Sequence, residues 1–166
     1  QGPVYRLLFR MLGNAAEAED VAQEVFVSVF KSIESFRGDS ALATWLYRIA
    51  ANHGKNRIKY LGRRAHAART PLDEGADHDA PGILDSRPVQ PDQVVESRES
   101  ERHLQEAFAD LDEEQRLLVT LRDIENMSYE EIRQITGHPI GTVKSKLHRA
   151  RLVLHERFKA RGQGRA

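Results

Sequence analysis

The stretch from residue 128 to residue 151, SYEEIRQITGHPIGTVKSKLHRAR, is the most informative part of this chain. Ser128 and Glu131 have the spacing of a capping box, in which each side chain accepts a hydrogen bond from the backbone of the other residue, so a helix is predicted to begin here. Gly137 and Pro139 are predicted to end that helix. The segment therefore predicts two helices joined by a short turn.

The second helix is predicted to run from about Ile140, because apolar residues recur at steps of four, three, four and four. These core positions are Val143, Leu147, Ala150, Leu154 and Phe158. The same period turns a polar set outward, namely Thr142, Lys144, Ser145, His148, Arg149 and Arg151. A basic helix held across a partner helix by a Gly-containing turn is the arrangement that enters the major groove of DNA. The alternative is a basic face that only contacts solvent.

Composition limits the other classes of function. The chain has 166 residues, 40 % of them apolar, which is enough for one ordinary domain or two small ones. No apolar run reaches the length of a membrane span, and no secretory signal opens the sequence. The lack of cysteine excludes disulfides and thiolate metal sites and favours the cytosol. The seven histidines lack metalloprotease spacing, so we expect no metal and no cofactor.

Charge is distributed very unevenly along the chain. The formal net charge is zero, yet residues 37–69 carry +7 and residues 132–166 carry +8. Acidic sequence separates these two basic blocks, with −7 over residues 70–101 and −6 over residues 102–131. Basic blocks of this size are typical of surfaces that bind phosphate groups. The neutral total therefore hides two candidate nucleic-acid surfaces.

The periodicity predicts an all-α protein with two small helical domains. We place the first domain at residues 1–66, a flexible acidic linker at 67–93 and the second domain at 94–166. The linker is predicted from its loss of periodicity, its four prolines and its five aspartates, because such a composition buries too little apolar surface to offset chain entropy. In the second domain, Asp112 is predicted to cap a helix, and four helices are expected in total.

The first domain is predicted to contain three helices: Val4 to Leu12, a second ending near Ser35, and Trp45 to about Arg64. Asn14 is the expected cap of the second helix, with Glu17 at the capping-box position. The core positions of that helix are expected to be Ala18, Val21 or Ala22, Val25, Val29 and Ile33. Phe26, Val27 and Phe30 make its middle apolar nearly all round, which is typical of a helix that serves a larger core or a partner.

Two polar patterns in this domain suggest binding surfaces. Asp20, Gln23 and Glu24 form one cluster on the second helix, although an acidic first turn that complements the helix dipole is the alternative explanation. The third helix presents a polar row at steps of four, three and four, formed by Arg48, Asn52, Lys55 and Lys59. Cations with an amide can follow a phosphate backbone and bind a base edge. The nearby aromatic residues are suited to stacking on unpaired bases, although Trp45 is equally well explained as a core residue.

Over almost its whole length the chain resembles a bacterial extracytoplasmic-function (ECF, group 4) RNA polymerase sigma factor. Three segments carry the resemblance, namely AEDVAQEVF at 18–26, FRGDS at 36–40 with TWLYRIAAN at 44–52 and Lys55-Asn56, and PIGTVKSKLHRAR at 139–151. The resemblance implies a sigma region 2, a tether and a sigma region 4. It also implies a non-enzymatic promoter-specificity subunit in the bacterial cytoplasm that is not inserted into the membrane.

The resemblance also implies roles for particular residues. The implied polymerase-binding residues, which would contact the coiled coil of the clamp, are Asp20, Gln23, Glu24 and Phe26. The residues implied for melting and reading the −10 element, including the single-stranded non-template strand, are Arg37, Ser40, Arg48, Asn52, Lys55, Asn56 and Lys59. Those implied for reading the duplex −35 element are Thr142, Lys144, Ser145, His148 and Arg149. An anti-sigma factor and the polymerase flap are further implied partners.

Two departures from the family pattern and three alternative functions accompany this interpretation. The family usually has a further helix before Val4, so the first domain is expected to be trimmed, and His148 stands where some relatives have an aromatic or a longer residue. The first alternative is a regulator that binds only duplex operators through residues 128–151. The second is a metal-dependent enzyme, and the third is a protein-only adaptor, which would leave both basic blocks without a role.

Overall fold

The computed structural model describes residues 1–68 and 102–163, and these ranges contain helices and no strands. The predicted all-α class is therefore confirmed. The helices are α1 Gly2–Leu12, α2 Ala15–Ser32 with a 3-10 turn at Ile33–Ser35, α3 Leu42–Ala68, α4 (residues 102–109 as described), α5 Glu113–Val119 with a π-helical turn at Thr120–Ile124, α6 Tyr129–Thr136, and α7 Ile140–Gln163.

The first three helices pack into one module, which we call the N-terminal module. Helix α1 ends at Gly13, whose φ of 70° is the left-handed conformation that a glycine adopts without strain. Asn14 then caps α2 by accepting the amide of Glu17 at 3.0 Å. The carboxylate of Glu17 does not return the bond to complete a capping box, because it binds Arg57 in α3 instead. Asn14 therefore caps α2 as predicted, whereas the side chain of Glu17 links α2 to α3.

Helices α4 to α7 form the C-terminal module, and local capping sets most of their boundaries. Both predicted caps are confirmed, since Asp112 with Gln115 and Ser128 with Glu131 form complete capping boxes. Gly137 ends α6 at a φ of 76°. The buried residues of α7 are Val143, Leu147 and Ala150, as its period predicts. Helices α6 and α7 and the short turn between them therefore form the predicted helix-turn-helix.

The two modules share one continuous hydrophobic core instead of lying apart. Helix α3 packs on α6, and α1 packs on α5 and its π-helical turn. The hydroxyl of Tyr47 in α3 donates a 2.7 Å hydrogen bond to Glu125, which follows that turn. The sequence offered no signal for this contact, because the two residues are 78 positions apart.

Several sequence-based expectations differ from the structure. Ile33 and Phe158, both predicted as core residues, are 42 % and 48 % exposed, because each lies beyond the part of its helix that packs on a neighbour. Helix α3 begins at Leu42, inside the predicted loop, and continues to Ala68, so the first two residues of the predicted linker are helical. Most of that linker lies outside the described residues, so its flexibility stays a prediction.

Candidate nucleic-acid and polymerase interfaces

One face of α2 carries an exposed stripe that is acidic at its start and apolar at its end. Asp20, Gln23 and Glu24 are all exposed on this face. At the following helical steps lie the exposed apolar side chains Val27 and Phe30, and Phe30 is 83 % exposed. A stripe of this kind on a monomer is typical of a protein-binding surface. We call it the α2 stripe.

Phe26, the fourth residue implied for polymerase binding, lies differently from the other three. Its side chain is only partly exposed and packs against the hydrophobic core. The exposed aromatic ring of the stripe is that of Phe30. The sequence signal was present, because the all-round apolar middle of α2 already indicated more apolar surface than one core could cover.

An ionic cluster joins the α2 stripe to α3. Arg57 in α3 binds the carboxylates of Glu17 and Glu24, the latter at 2.6 Å. His53 lies 3.6 Å from Glu24 and shares a 3.0 Å hydrogen bond with Ser28. The guanidinium of Arg57 is thus turned toward α2 and not toward the polar row of its own helix. Glu24 is thus held in place from the neighbouring helix.

A pocket opens where the loop after α2 meets the start of α3. The rings of Phe36 and Trp45 lie 5.2 Å apart at 49° and form its aromatic wall, with Trp45 itself largely buried. Arg37, Ser40 and Arg48 also line the pocket. The remaining lining residues are Ser35, Asp39, Thr44 and, from α6, Gln134. The pocket combines an aromatic wall with cations, which is the combination that an unstacked nucleotide requires.

The polar row on α3 begins at this pocket and extends along the helix. Arg48, Asn52 and Lys59 are exposed, and Lys55 is partly buried. Asn56 is also exposed, on the adjacent turn. The predicted row therefore leads away from the pocket along a solvent-facing side of α3. Phosphate groups of a strand entering the pocket could follow it.

On the C-terminal module, the outward face of α7 presents the predicted polar set. Lys144, Ser145, His148 and Arg149 are exposed, whereas Thr142 is partly buried. The hydroxyl of Ser145 donates to the carbonyl of Thr142 at 3.0 Å, and the ammonium of Lys144 lies 5.2 Å from the ring centre of Tyr129. The face is open to solvent over the first three turns of the helix.

Two charged contacts that the sequence did not reveal hold α7 in position. Glu114 in α5 accepts hydrogen bonds from His138 in the turn and from Lys146 in α7. Burial alone would raise the pKa of Glu114, but these two partners outweigh it and leave the pKa below its usual value. Arg151, predicted to be free on the outward face, forms two hydrogen bonds with Asp123, of 2.5 and 3.1 Å.

The start of α6 is fixed by its own capping carboxylate. The Ser128 amide donates to Glu131 at 2.8 Å, and this backbone hydrogen bond is the main reason that the pKa of Glu131 is lowered. Over the described residues, no group of histidine and carboxylate side chains could hold a metal ion. None of the described helices is long and apolar enough to cross a membrane.

Comparison with known proteins identifies the family. The sequence model for Sigma-70 region 2 matches residues 1–64, and that for Sigma-70, region 4 matches residues 101–154. The chain is 38 % identical to the ECF RNA polymerase sigma-E factor of Haemophilus influenzae, over 95 % of this chain and 82 % of the relative. It is 36 % identical to the RNA polymerase sigma-H factor of Pseudomonas aeruginosa, over 91 % and 78 %. The chain belongs to the ECF-type sigma factors.

Solved structures agree with this assignment. The sigma factor RpoE in complex with the anti-sigma factor NepR from Bartonella quintana has a TM-score of 0.71 and 26 % identity, with 94 % of this chain and 89 % of that chain covered. CnrH in complex with the cytosolic domain of CnrY has a TM-score of 0.64 at 20 % identity, over 96 % and 82 %, and supports the fold alone. As a sigma factor, the chain is a promoter-recognising subunit of RNA polymerase.

Proposed function

We propose that the two modules divide promoter recognition between them, as in a group 4 ECF sigma factor. The N-terminal module, residues 1–66, melts and reads the −10 element, and the C-terminal module, residues 94–166, reads the duplex −35 element. Residues 67–93 thread toward the RNA exit path. The observation that carries the proposal is the pocket beside Phe36 and Trp45, because the polar row of α3 begins at its rim.

During recognition of the −10 element the pocket holds one extruded base of the non-template strand. Arg37, Ser40 and Arg48 surround that base. Asn52 hydrogen-bonds a base edge near this position, while Lys55, Asn56 and Lys59 follow the backbone of the strand. Capturing a base only after it has left the stack favours the melted state, so the free energy of binding helps to drive melting.

During recognition of the −35 element α7 lies in the major groove. Lys144, Ser145, His148 and Arg149 reach base edges and phosphates, and Thr142 lies at the entrance of the helix into the groove. The bonds from Glu114 and Asp123 hold this helix before DNA arrives. Positioning of this kind lowers the entropy that binding must overcome.

Polymerase binds the α2 stripe. Asp20, Gln23 and Glu24 meet the clamp coiled coil with their polar groups, and Val27 and Phe30 bury apolar surface beside them. Phe26 supports this surface from inside the module. The C-terminal module contacts the polymerase flap. The sigma factor itself performs no catalysis, works in the bacterial cytoplasm beside the polymerase, and is covered by an anti-sigma factor when inactive.

The proposal is tested by run-off transcription with purified core RNA polymerase and a promoter library. The full chain should direct initiation from a defined subset of promoters, with two conserved blocks of sequence near −10 and −35. A chain that does not bind core polymerase, or binds it without directing initiation, contradicts the proposal.

A variant of Asn52 separates this function from that of a regulator that binds only duplex DNA. Asn52→Ala should leave the affinity of the free chain for duplex −35 DNA unchanged and weaken capture of single-stranded non-template DNA by the holoenzyme. Asn52 is exposed, so its replacement leaves the core intact. Equal losses on both substrates would favour the simpler regulator.

A further inference from the structure

Three carboxylates lie on one face of the first half of α2. Glu17, Asp20 and Glu24 follow one another at steps of three and four, which places them along a single side of the helix. Like charges at these spacings repel each other, so the three side chains would spread apart if no cation lay beside them. Glu24 also belongs to the α2 stripe, which is the proposed polymerase contact. The direction of its side chain therefore depends on what balances this charge.

The balancing charge comes from Arg57 of α3. Its Nη1 atom donates to the carboxylate of Glu17, and its Nη2 atom donates to Oε1 of Glu24 at 2.6 Å. The side chain of Arg57 is 19 % exposed and that of Glu17 is 28 % exposed, whereas that of Glu24 is 52 % exposed. A planar guanidinium suits this arrangement, because its separate donors hold two carboxylates in fixed directions. Arg57 is thus anchored on Glu17 and reaches the edge of the stripe at Glu24.

The second carboxylate oxygen of Glu24 faces His53, which lies one turn before Arg57 on α3. The Nδ1 atom of His53 is 3.6 Å from Oε2 of Glu24. Its Nε2 atom shares a 3.0 Å hydrogen bond with the hydroxyl of Ser28, one turn after Glu24 on α2. The imidazole is therefore itself held against α2. The two oxygen atoms of Glu24 thus face two different residues of the neighbouring helix.

Glu24 is held in place and is still available to a partner. A carboxylate has about four acceptor directions, and the hydrogen bond from Arg57 occupies one of them. Asp20 and Gln23 are exposed and line the same groove between α2 and α3. A donor group of a partner protein can therefore reach Glu24 without breaking its contact with Arg57. A side chain that is ordered before binding loses less conformational entropy when the complex forms.

We propose that Arg57 is a positioning residue for polymerase binding, which acts by holding Glu24 in the conformation that the polymerase contacts. This inference rests on the proposed binding of polymerase to the α2 stripe. The guanidinium of Arg57 faces α2 and is only partly exposed, so it acts through Glu24. Arg57 directly follows Asn56 in the sequence, so the helix that is proposed to follow the −10 strand also orders the polymerase contact.

The test is a double-mutant cycle on the affinity of the full chain for core RNA polymerase. Arg57→Met removes the guanidinium, Glu24→Ala removes the carboxylate, and a third variant carries both substitutions. Arg57→Met alone should weaken binding about threefold to tenfold, because it frees one long side chain of the interface. In the Glu24→Ala background the same substitution should have no effect, because the residue through which Arg57 acts is already gone. Thermal unfolding of each variant verifies that the compared chains are folded.

Two further variants separate positioning from general stability. Arg57→Lys keeps the charge beside Glu17 and replaces Arg57→Met in the cycle if the latter does not fold. Its ammonium lacks the two fixed arms of a guanidinium, so it should weaken binding about twofold or more, again only while Glu24 is present. The matched control is Arg133→Met, which breaks an exposed arginine–glutamate pair inside α6 and should leave the affinity unchanged.

Either of two results would overturn the inference: equal losses of affinity with and without Glu24, as a purely structural role of Arg57 would give, or no loss while Glu24 is present. The effect of Glu24→Ala alone tests the proposed function separately. If Glu24→Ala leaves the affinity unchanged, the proposed polymerase contact at the α2 stripe is wrong. If it weakens binding and the effect of Arg57→Met does not depend on it, only the positioning role is wrong.

Discussion

Glu114 of α5 accepts a hydrogen bond from Lys146 of α7, and this contact between residues 32 positions apart fixes the helix that faces DNA. The same carboxylate also binds His138 in the turn between α6 and α7. One partly buried carboxylate therefore joins α5 to the turn after α6 and to α7. Its partners are polar residues, which a sequence pattern predicts to be exposed to solvent.

Glu114→Gln should lower the free energy of unfolding by about 1–3 kcal/mol at neutral pH, because it removes the negative charge that accepts hydrogen bonds from Lys146 and His138. The pKa of Glu114 is lowered in the folded protein by those partners, although burial opposes the shift, so its stabilisation is present above pH 4.5 and is lost as the pH falls further. Urea titrations of the wild type and the variant between pH 3 and 7 should show that the difference in their free energies of unfolding becomes smaller in acid. A constant difference would contradict this origin.

Tyr47→Phe should make the stability of the protein less sensitive to alkali. Burial, reinforced by the bond to anionic Glu125, raises the pKa of Tyr47 well above 10.0, so the phenol stabilises the fold below that pH and loses this contribution as the pH rises beyond it. Thermal unfolding at pH 8 to 11 should therefore show a shallower decline in the variant. Tyr60→Phe, at a half-exposed tyrosine of the same helix, is the matched control and should behave like the wild type.

Phe30→Ala should weaken binding to core RNA polymerase by about tenfold or more while leaving the melting temperature unchanged. Its ring is 83 % exposed, so the free chain loses little packing, but a central aromatic in an interface often carries much of the binding energy. Phe26→Ala should instead lower the free energy of unfolding by about 3 kcal/mol, because its ring packs on the core. Fluorescence anisotropy and calorimetry distinguish the two effects.

Arg149→Ala should lower affinity for duplex −35 DNA and reduce the slope of log K against log salt by about one unit. Arg149 is exposed on the outward face of α7. Arg151→Ala is the comparison, because Arg151 is held by Asp123 and should mainly affect the stability of the C-terminal module. An unchanged salt slope for Arg149→Ala would exclude a phosphate or base contact at that position.

Local features of the fold could be predicted because their causes lie within a few residues. The helix caps at Ser128 and Asp112 and the helix ends at Gly13 and Gly137 each depend on hydrogen bonds or dihedral angles inside one turn. The outward face of α7 and the polar row of α3 follow from helical period alone. Sequence could therefore define most of the helices and most of the candidate binding residues.

The sequence by itself determined the helices, their polar faces and the family resemblance, because these depend on order along the chain. The tertiary structure alone decided that Arg57 turns to α2, that Phe30 and not Phe26 is exposed, and that Glu125 joins the modules. Such outcomes depend on which surfaces meet after folding. A charged or aromatic residue has the same local pattern whether it faces water or a helix that is distant in sequence, so only the packed molecule separates the two.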